Sequence, residues 1–156
     1  QFGHNDQKAS SGVSLEQYTA NLERFVAEVG DVGAHALLVT PLSRRSFDSA
    51  DPPRVVTDLT DQREATLSVA TNTGTPSIDL NQASVDYLNA IGPDDAHTYN
   101  LESGDNTHLN DAGGVVFGNM VSWLMGQSVS DLSQGTQPNA EYATHFENGE
   151  YFYPDV

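Results

Sequence analysis

No cysteine occurs in the 156 residues, which excludes disulfides, cysteine-ligated zinc, iron–sulfur clusters and thiol nucleophiles together. Positive charge is nearly as scarce. Six Lys and Arg stand against 22 Asp and Glu, a formal net charge of −16, and Lys8 is the only lysine. Phosphate recognition needs clustered cations to release counterions, so nucleic acid is excluded as a partner. Anionic membrane surfaces are disfavoured on the same ground. No apolar run approaches the roughly 18 residues that a membrane-spanning helix needs. No charged segment followed by an apolar one opens the chain, so a secretory signal peptide is missing or already removed. What is present is globular, 37% hydrophobic and 18% charged, with a length suited to one domain. An acidic, Lys-poor chain rich in Asn, Gln, Ser and Thr suits a secreted microbial protein, with a high-salt cytosol as the competing explanation.

Local signals place the elements. Ser14 stands three residues before Gln17, a capping box, with Val13 and Tyr18 at the hydrophobic-staple positions. Leu15, Tyr18, Leu22, Phe25, Val26 and Val29 keep helical spacing, and Gly30 and Gly33 supply the stop. Residues 34–40, closed by Pro41, read as a buried strand that packs His35 into the core. A long loop covers 41–57. A helix follows from about Asp58 to Ala70, with Leu59, Arg63, Leu67 and Ala70 on one side. A second strand is expected at 77–80, then a helix capped by Asn81 and ending near Gly92-Pro93. Asn110 or Asp111 opens a final helix with Val116, Met120, Trp123 and Leu124. His97 and His145 are expected in solvent.

Short buried strands alternating with amphipathic helices imply an α/β fold with a parallel sheet. Two complete strands and a stub at Phe2-Gly3 are too few to cover four helices. The expectation is that the sheet's first strands lie on sequence outside this chain.

Two stretches carry chemistry: Gly3-His4-Asn5-Asp6 on a turn, and Asp105-Asn106-Thr107-His108 before the last helix. In open α/β sheets, active sites lie at the carboxyl ends of the strands. An Asp three residues before a His on a tight turn meets the imidazole Nδ1 proton. It fixes the tautomer and leaves Nε2 as a base. An Asn on a rigid turn offers an amide donor to a developing oxyanion. A metal site built from His4, Asp6, Asp105 and His108 is the weaker alternative, since no helical His-x-x-x-His pair accompanies them.

Phe2-Gly3-His4-Asn5-Asp6 resembles the G-x-N-D block of the SGNH (GDSL-type) hydrolases, in the form written by their rhamnogalacturonan acetylesterase-like branch. Asp105 and His108 are similar to that family's D-x-x-H block, and Thr107 to Gly113 to its entry into the last helix. Val39-Thr40-Pro41 followed by Arg44-Arg45 and Phe47 also resembles this branch. The likeness covers residues 1–126, the C-terminal part of an SGNH domain; 127–156 form an acidic, aromatic-containing tail. The resemblance implies a three-layer, flavodoxin-like fold.

It also implies roles. His108 is the expected catalytic base, Asp105 its orienting acid and Asn5 an oxyanion-hole donor. Gly3, His4 and Asp6 support the Asn5 turn, and Arg44 and Arg45 are candidate substrate contacts, with a structural ion pair as the alternative. No metal and no organic cofactor is implied. The family's Gly-Asp-Ser nucleophile block and its second block, with the oxyanion glycine, do not occur here. The expected partner is therefore an N-terminal chain of the same precursor that carries the serine, giving a heterodimer by proteolytic nicking. The implied activity is secreted ester hydrolysis, on O-acetyl groups of a plant cell-wall polysaccharide such as pectic rhamnogalacturonan. The net charge of −16 repels a polyanionic pectin, so affinity there must come from local contacts or screening salt. The rival reading is a catalytically inert carbohydrate-binding or interaction module, for which the absent serine speaks.

Overall fold

The Ser14 side chain accepts from the Gln17 amide at 3.1 Å, and helix α1 runs over Leu15–Asp31 as the capping box predicts. The computed structural model describes residues 1–129 and 135–156, which gather into two units. The first is Gln1–Leu42 with Asp58–Asn81; the second is Ser43–Thr57 with Gln82–Val156.

In the first unit, strands β1 (Leu38–Val39) and β2 (Ser77–Ile78) pair in parallel, Leu38 opposite Ser77 and Val39 opposite Ile78. The α/β class and the parallel pairing are those expected, but both strands are shorter than the apolar runs suggested. The ladder begins only at Leu38, so His35 lies before it and is exposed, not packed in the core. Helix α2 (Thr60–Thr73) packs on α1. Its buried residues are Gln62, Ala65, Thr66, Val69 and Ala70. Of the side expected, Leu59 and Ala70 are buried and Arg63 and Leu67 half-buried, so the buried face is turned from that side and takes in two polar residues that hydrophobic periodicity does not mark. Thr66 answers its burial by donating to the Gln62 carbonyl at 2.7 Å and bonding Tyr18 Oη at 3.0 Å. Tyr18, Leu22, Leu38, Ala65, Val69 and Ala70 form the core.

Asp79, just past β2, receives the Arg63 guanidinium on both oxygens and the Thr40 hydroxyl on Oδ1 at 3.0 Å. Asn81 is not a cap. It lies in the first turn of α3 (Leu80–His97), where its amide N–H donates to Thr40 Oγ1 at 2.8 Å and its Nδ2 to the Pro41 carbonyl at 2.7 Å.

Most of α3 belongs to the second unit, and its helical backbone breaks at Gly92 before Pro93, where a stop was expected. Helix α4 covers Asp111–Ser128, capped by the Asn110 side chain, which accepts from Gly113 N. Helix α5 (Ala140–Asn148) packs on α4; Phe146 meets Trp123 at 5.7 Å and Tyr87 edge-on at 5.5 Å. The expected tail, 127–156, thus contains a helix; residues 130–134 of it lie outside the described residues. Past α5 the chain returns over Tyr99. The Tyr99 hydroxyl donates to the Phe152 carbonyl, and the Tyr87 hydroxyl to the Glu150 carbonyl at 3.3 Å. Burial pushes the Tyr87 phenol up to about 12. His145 is half-buried and stacks on Phe152 at 4.6 Å, where solvent exposure was expected. No described helix is long and apolar enough to cross a membrane.

Candidate active site

The loop that carries Asp105 and His108 is closed at its base. Asn100 and Leu109 form an antiparallel bridge, with Leu101 N donating to the His108 carbonyl at 3.0 Å and Asn110 N to the Tyr99 carbonyl at 3.1 Å. Gly113, on the first turn of α4, lies so close to this base that a Cβ there would meet the Tyr99 carbonyl oxygen at 2.8 Å.

Within the loop, the Asp105 carboxylate does three things. Oδ1 accepts from the backbone N–H of Thr107 at 3.0 Å and of His108 at 2.9 Å; Oδ2 accepts from His108 Nδ1 at 2.8 Å. The first two bonds fold the turn, and the third aims the ring. The same donors, the His108 amide foremost, hold the Asp105 carboxyl down to about 2. With Nδ1 donating to the carboxylate, Nε2 keeps its lone pair, and the His108 side chain is 71% exposed. Such a pair is able to take a proton at Nε2 and to stabilise the imidazolium that results.

Arg44 and Arg45 part company. Arg44 Nε donates to Thr107 Oγ1 at 3.2 Å. Arg45 is 0% exposed, which is at odds with the substrate contact expected of it. Its amide donates to the Asn106 carbonyl at 2.9 Å, its Nε to Asn100 Oδ1 at 2.5 Å and an Nη2 proton to the His108 carbonyl at 2.6 Å. Desolvation lowers its guanidinium to about 10, against the opposing influence of the Asp105 charge. Asn100 Nδ2 donates to Asn106 Oδ1 at 2.9 Å, tying the loop across its middle. His97, exposed as expected, bonds the Arg45 carbonyl through Nε2 at 2.9 Å. Asn100 was not singled out in the sequence, and Asn106 and His97 were given no part in the loop's support; nothing in their spacing distinguishes them from ordinary loop and helix-end residues.

The other stretch lies in the first unit. Gly3 is buried with φ +124°, and a Cβ there would stand 3.2 Å from Gln62 Cβ and 3.3 Å from Pro41 Cγ. Asp6 Oδ2 accepts from the Gly3 amide at 3.1 Å, and Gln7 N donates to the Gly3 carbonyl at 2.9 Å, so the turn is braced on both sides. His4 Nδ1 meets Gln1 Nε2 at 3.2 Å. Exposed Asn5 has its Oδ1 held by Lys8 Nζ at 2.8 Å. Phe2 and Gly3 join no ladder among the described residues. Nor do the described residues gather three or more His, Asp or Glu side chains able to hold a metal ion.

Parallel strands between helices, with an Asp–His pair built on one four-residue turn, define the class as α/β, with the D-x-x-H arrangement of the SGNH hydrolases. Comparison with known proteins sharpens this. The chain is 28% identical over 134 residues to the rhamnogalacturonan acetylesterase RhgT of Bacillus subtilis, an alignment covering 78% of this chain and 57% of that one. It is 27% identical over 139 residues to YesY of Bacillus subtilis, named a probable rhamnogalacturonan acetylesterase, covering 85% and 61%. A crystal structure of the Bacillus subtilis protein YxiM superposes with a TM-score of 0.73 at 26% identity, over 81% of this chain and 35% of that one. No protein-family model matches. The likeness to the rhamnogalacturonan acetylesterase-like branch therefore extends well beyond the two motifs. The chain spans about three-fifths of the length of these curated relatives.

Proposed function

We propose that this chain supplies the acid–base pair and one oxyanion donor of a secreted serine ester hydrolase that removes O-acetyl groups from a plant cell-wall polysaccharide. The nucleophilic serine stands on sequence outside these 156 residues. The observation that carries the reading is the 2.8 Å bond from His108 Nδ1 to Asp105 Oδ2 on an exposed loop. The names of the relatives supply the substrate class.

In this mechanism, the serine hydroxyl gives its proton to His108 Nε2 as Oγ attacks the acetyl carbon. Asp105 holds the imidazolium, and the Asn5 amide donates to the tetrahedral oxyanion. His108 then hands its proton to the departing sugar oxygen. A water, deprotonated by the same Nε2, attacks the acyl carbon and releases acetate, and His108 returns the proton to the departing serine oxygen. No step requires a metal or an organic cofactor.

The test uses the full-length protein and p-nitrophenyl acetate. His108→Ala is expected to lose about 10²–10⁴-fold in turnover. Near-normal turnover would overturn the mechanism, and a wild-type protein without esterase activity would favour the inert module. Peptide mapping of the purified, active protein checks the source of the serine; a Gly-Asp-Ser sequence outside these 156 residues is expected.

A further inference from the structure

A fully buried arginine is a costly way to fill a core. Removing its charge from water opposes folding, and apolar residues of similar volume commonly pack there at no loss of stability. Arg45 adds to that cost, because its Nη1 has no hydrogen-bond partner among the described residues. Its carbonyl meets His97 Nε2, and three of its other polar atoms go to one segment: backbone N, Nε and Nη2 reach Asn106, Asn100 and His108, all within the stretch closed by the Asn100–Leu109 bridge. The nearest bond is the most telling: Nη2 donates at 2.6 Å to the carbonyl of His108 itself. That carbonyl also accepts from Leu101 N at the loop base. Its position fixes where the His108 Cα stands, and hence where the ring begins.

We propose that Arg45 is a positioning residue for the general base: its planar fork, pinned between Asn100 Oδ1 and the His108 carbonyl, sets the height at which His108 meets Asp105 and presents Nε2. This deepens the function proposed above and rests on it for its catalytic consequence, but not for its structural one. Lysine is not a substitute, since a single ammonium on a flexible stem cannot hold two acceptors in a fixed plane. Arg24 is the control: an exposed cation on α1 whose Nε stands 3.6 Å from Glu28 Oε1.

The experiment compares Arg45→Lys, Arg45→Met and Arg24→Lys in the full-length protein, with two readouts. The first is kcat and KM on p-nitrophenyl acetate, normalised to active sites titrated by the acyl burst. Both Arg45 variants are expected to lose about 10²-fold in kcat, with KM changed by less than about twofold, because a displaced base acts on the transition state more than on binding. Arg24→Lys is expected to keep kcat. A merely structural role would lower the titrated fraction and leave kcat per site unchanged, which would overturn the proposal. The second readout needs no activity. The ¹⁵N shifts of the His108 ring report which nitrogen carries the proton. Wild type is expected to hold it on Nδ1, and both Arg45 variants to move population to Nε2. If wild type fails to hydrolyse esters but the ring shifts move, the enzymatic reading fails and the positioning role stands. If the ring is unchanged in both variants, the positioning role fails.

Discussion

The Asp105–His108 loop and the Gly3–Asp6 turn, one in each unit, are held in shape differently. In the loop, a carboxylate accepts from two backbone amides and one ring nitrogen within four residues, so orientation comes from bonds that the turn makes with itself. In the turn, Asp6 Oδ2 accepts from the Gly3 amide, and a steric contact is added: Gly3 takes a φ of +124°, and a Cβ there would stand 3.2 Å from Gln62 Cβ and 3.3 Å from Pro41 Cγ. In the function proposed above, the loop would aim a base and the turn would place an oxyanion donor.

Substitutions can break this comparison, and they are ordered here by expected effect. Asp105→Asn removes the turn's acceptor charge and favours the wrong histidine tautomer. Turnover in the full-length protein should fall about 10²–10⁴-fold, and a kcat within threefold of wild type would show that the pair does not act as a unit. Asn5→Ala should lower kcat by about 10²–10³-fold and alter KM little, as for loss of one oxyanion donor. An unchanged kcat would reduce Gly3–Asp6 to a structural turn. Gly113→Ala and Gly3→Ala test the packing. The first overpacks the loop base against the Tyr99 carbonyl and should cost about 1–3 kcal/mol in urea unfolding. The second forces a Cβ into a glycine-only conformation for about the same, roughly 1–3 kcal/mol. If Gly113→Ala is as stable as wild type, the close approach at the loop base is not a constraint.

The smallest effect is acid-dependent. The Asp105 carboxyl is held to about 2, below the roughly 3.9 of an unfolded aspartate. A depressed folded value means that ionised Asp105 favours the folded loop above about pH 4. That contribution fades as pH falls through about 2, where the carboxylate protonates. A carboxyl ¹³C titration should place the Asp105 midpoint near 2; a midpoint at the unfolded value would mean that its three hydrogen bonds are not kept in solution.

Local chemistry was legible in the sequence and long-range chemistry was not. The Ser14 cap and the Asp105–His108 pair each depend on residues three apart, and both formed as their spacing implied. The α/β class and its parallel pairing were equally legible, because apolar runs bounded by Pro and Gly are local too. Arg45 was not, since an adjacent Arg pair reads as surface charge until a fold removes one of them from water. His35 was misplaced because an apolar run does not say which of its residues enter the ladder. Helix α5 did have a readable signal: Asn139 caps it and Tyr142 and Phe146 keep helical spacing, but acidic composition drew attention away from the period.

The bridge between Asn100 and Leu109 also bears on the order of folding. It closes a segment of about ten residues, an event that takes tens of nanoseconds in a flexible chain, so the Asp105 turn is able to sample its final shape long before distant parts meet. The Arg45 bonds, which span 55 and 63 positions, and the seating of Gly3 on Gln62 wait for slower, non-local closure. The catalytic pair is thus drafted early and locked late, and a substitution at Arg45 should leave the rate of turn formation alone while shortening the lifetime of the finished loop.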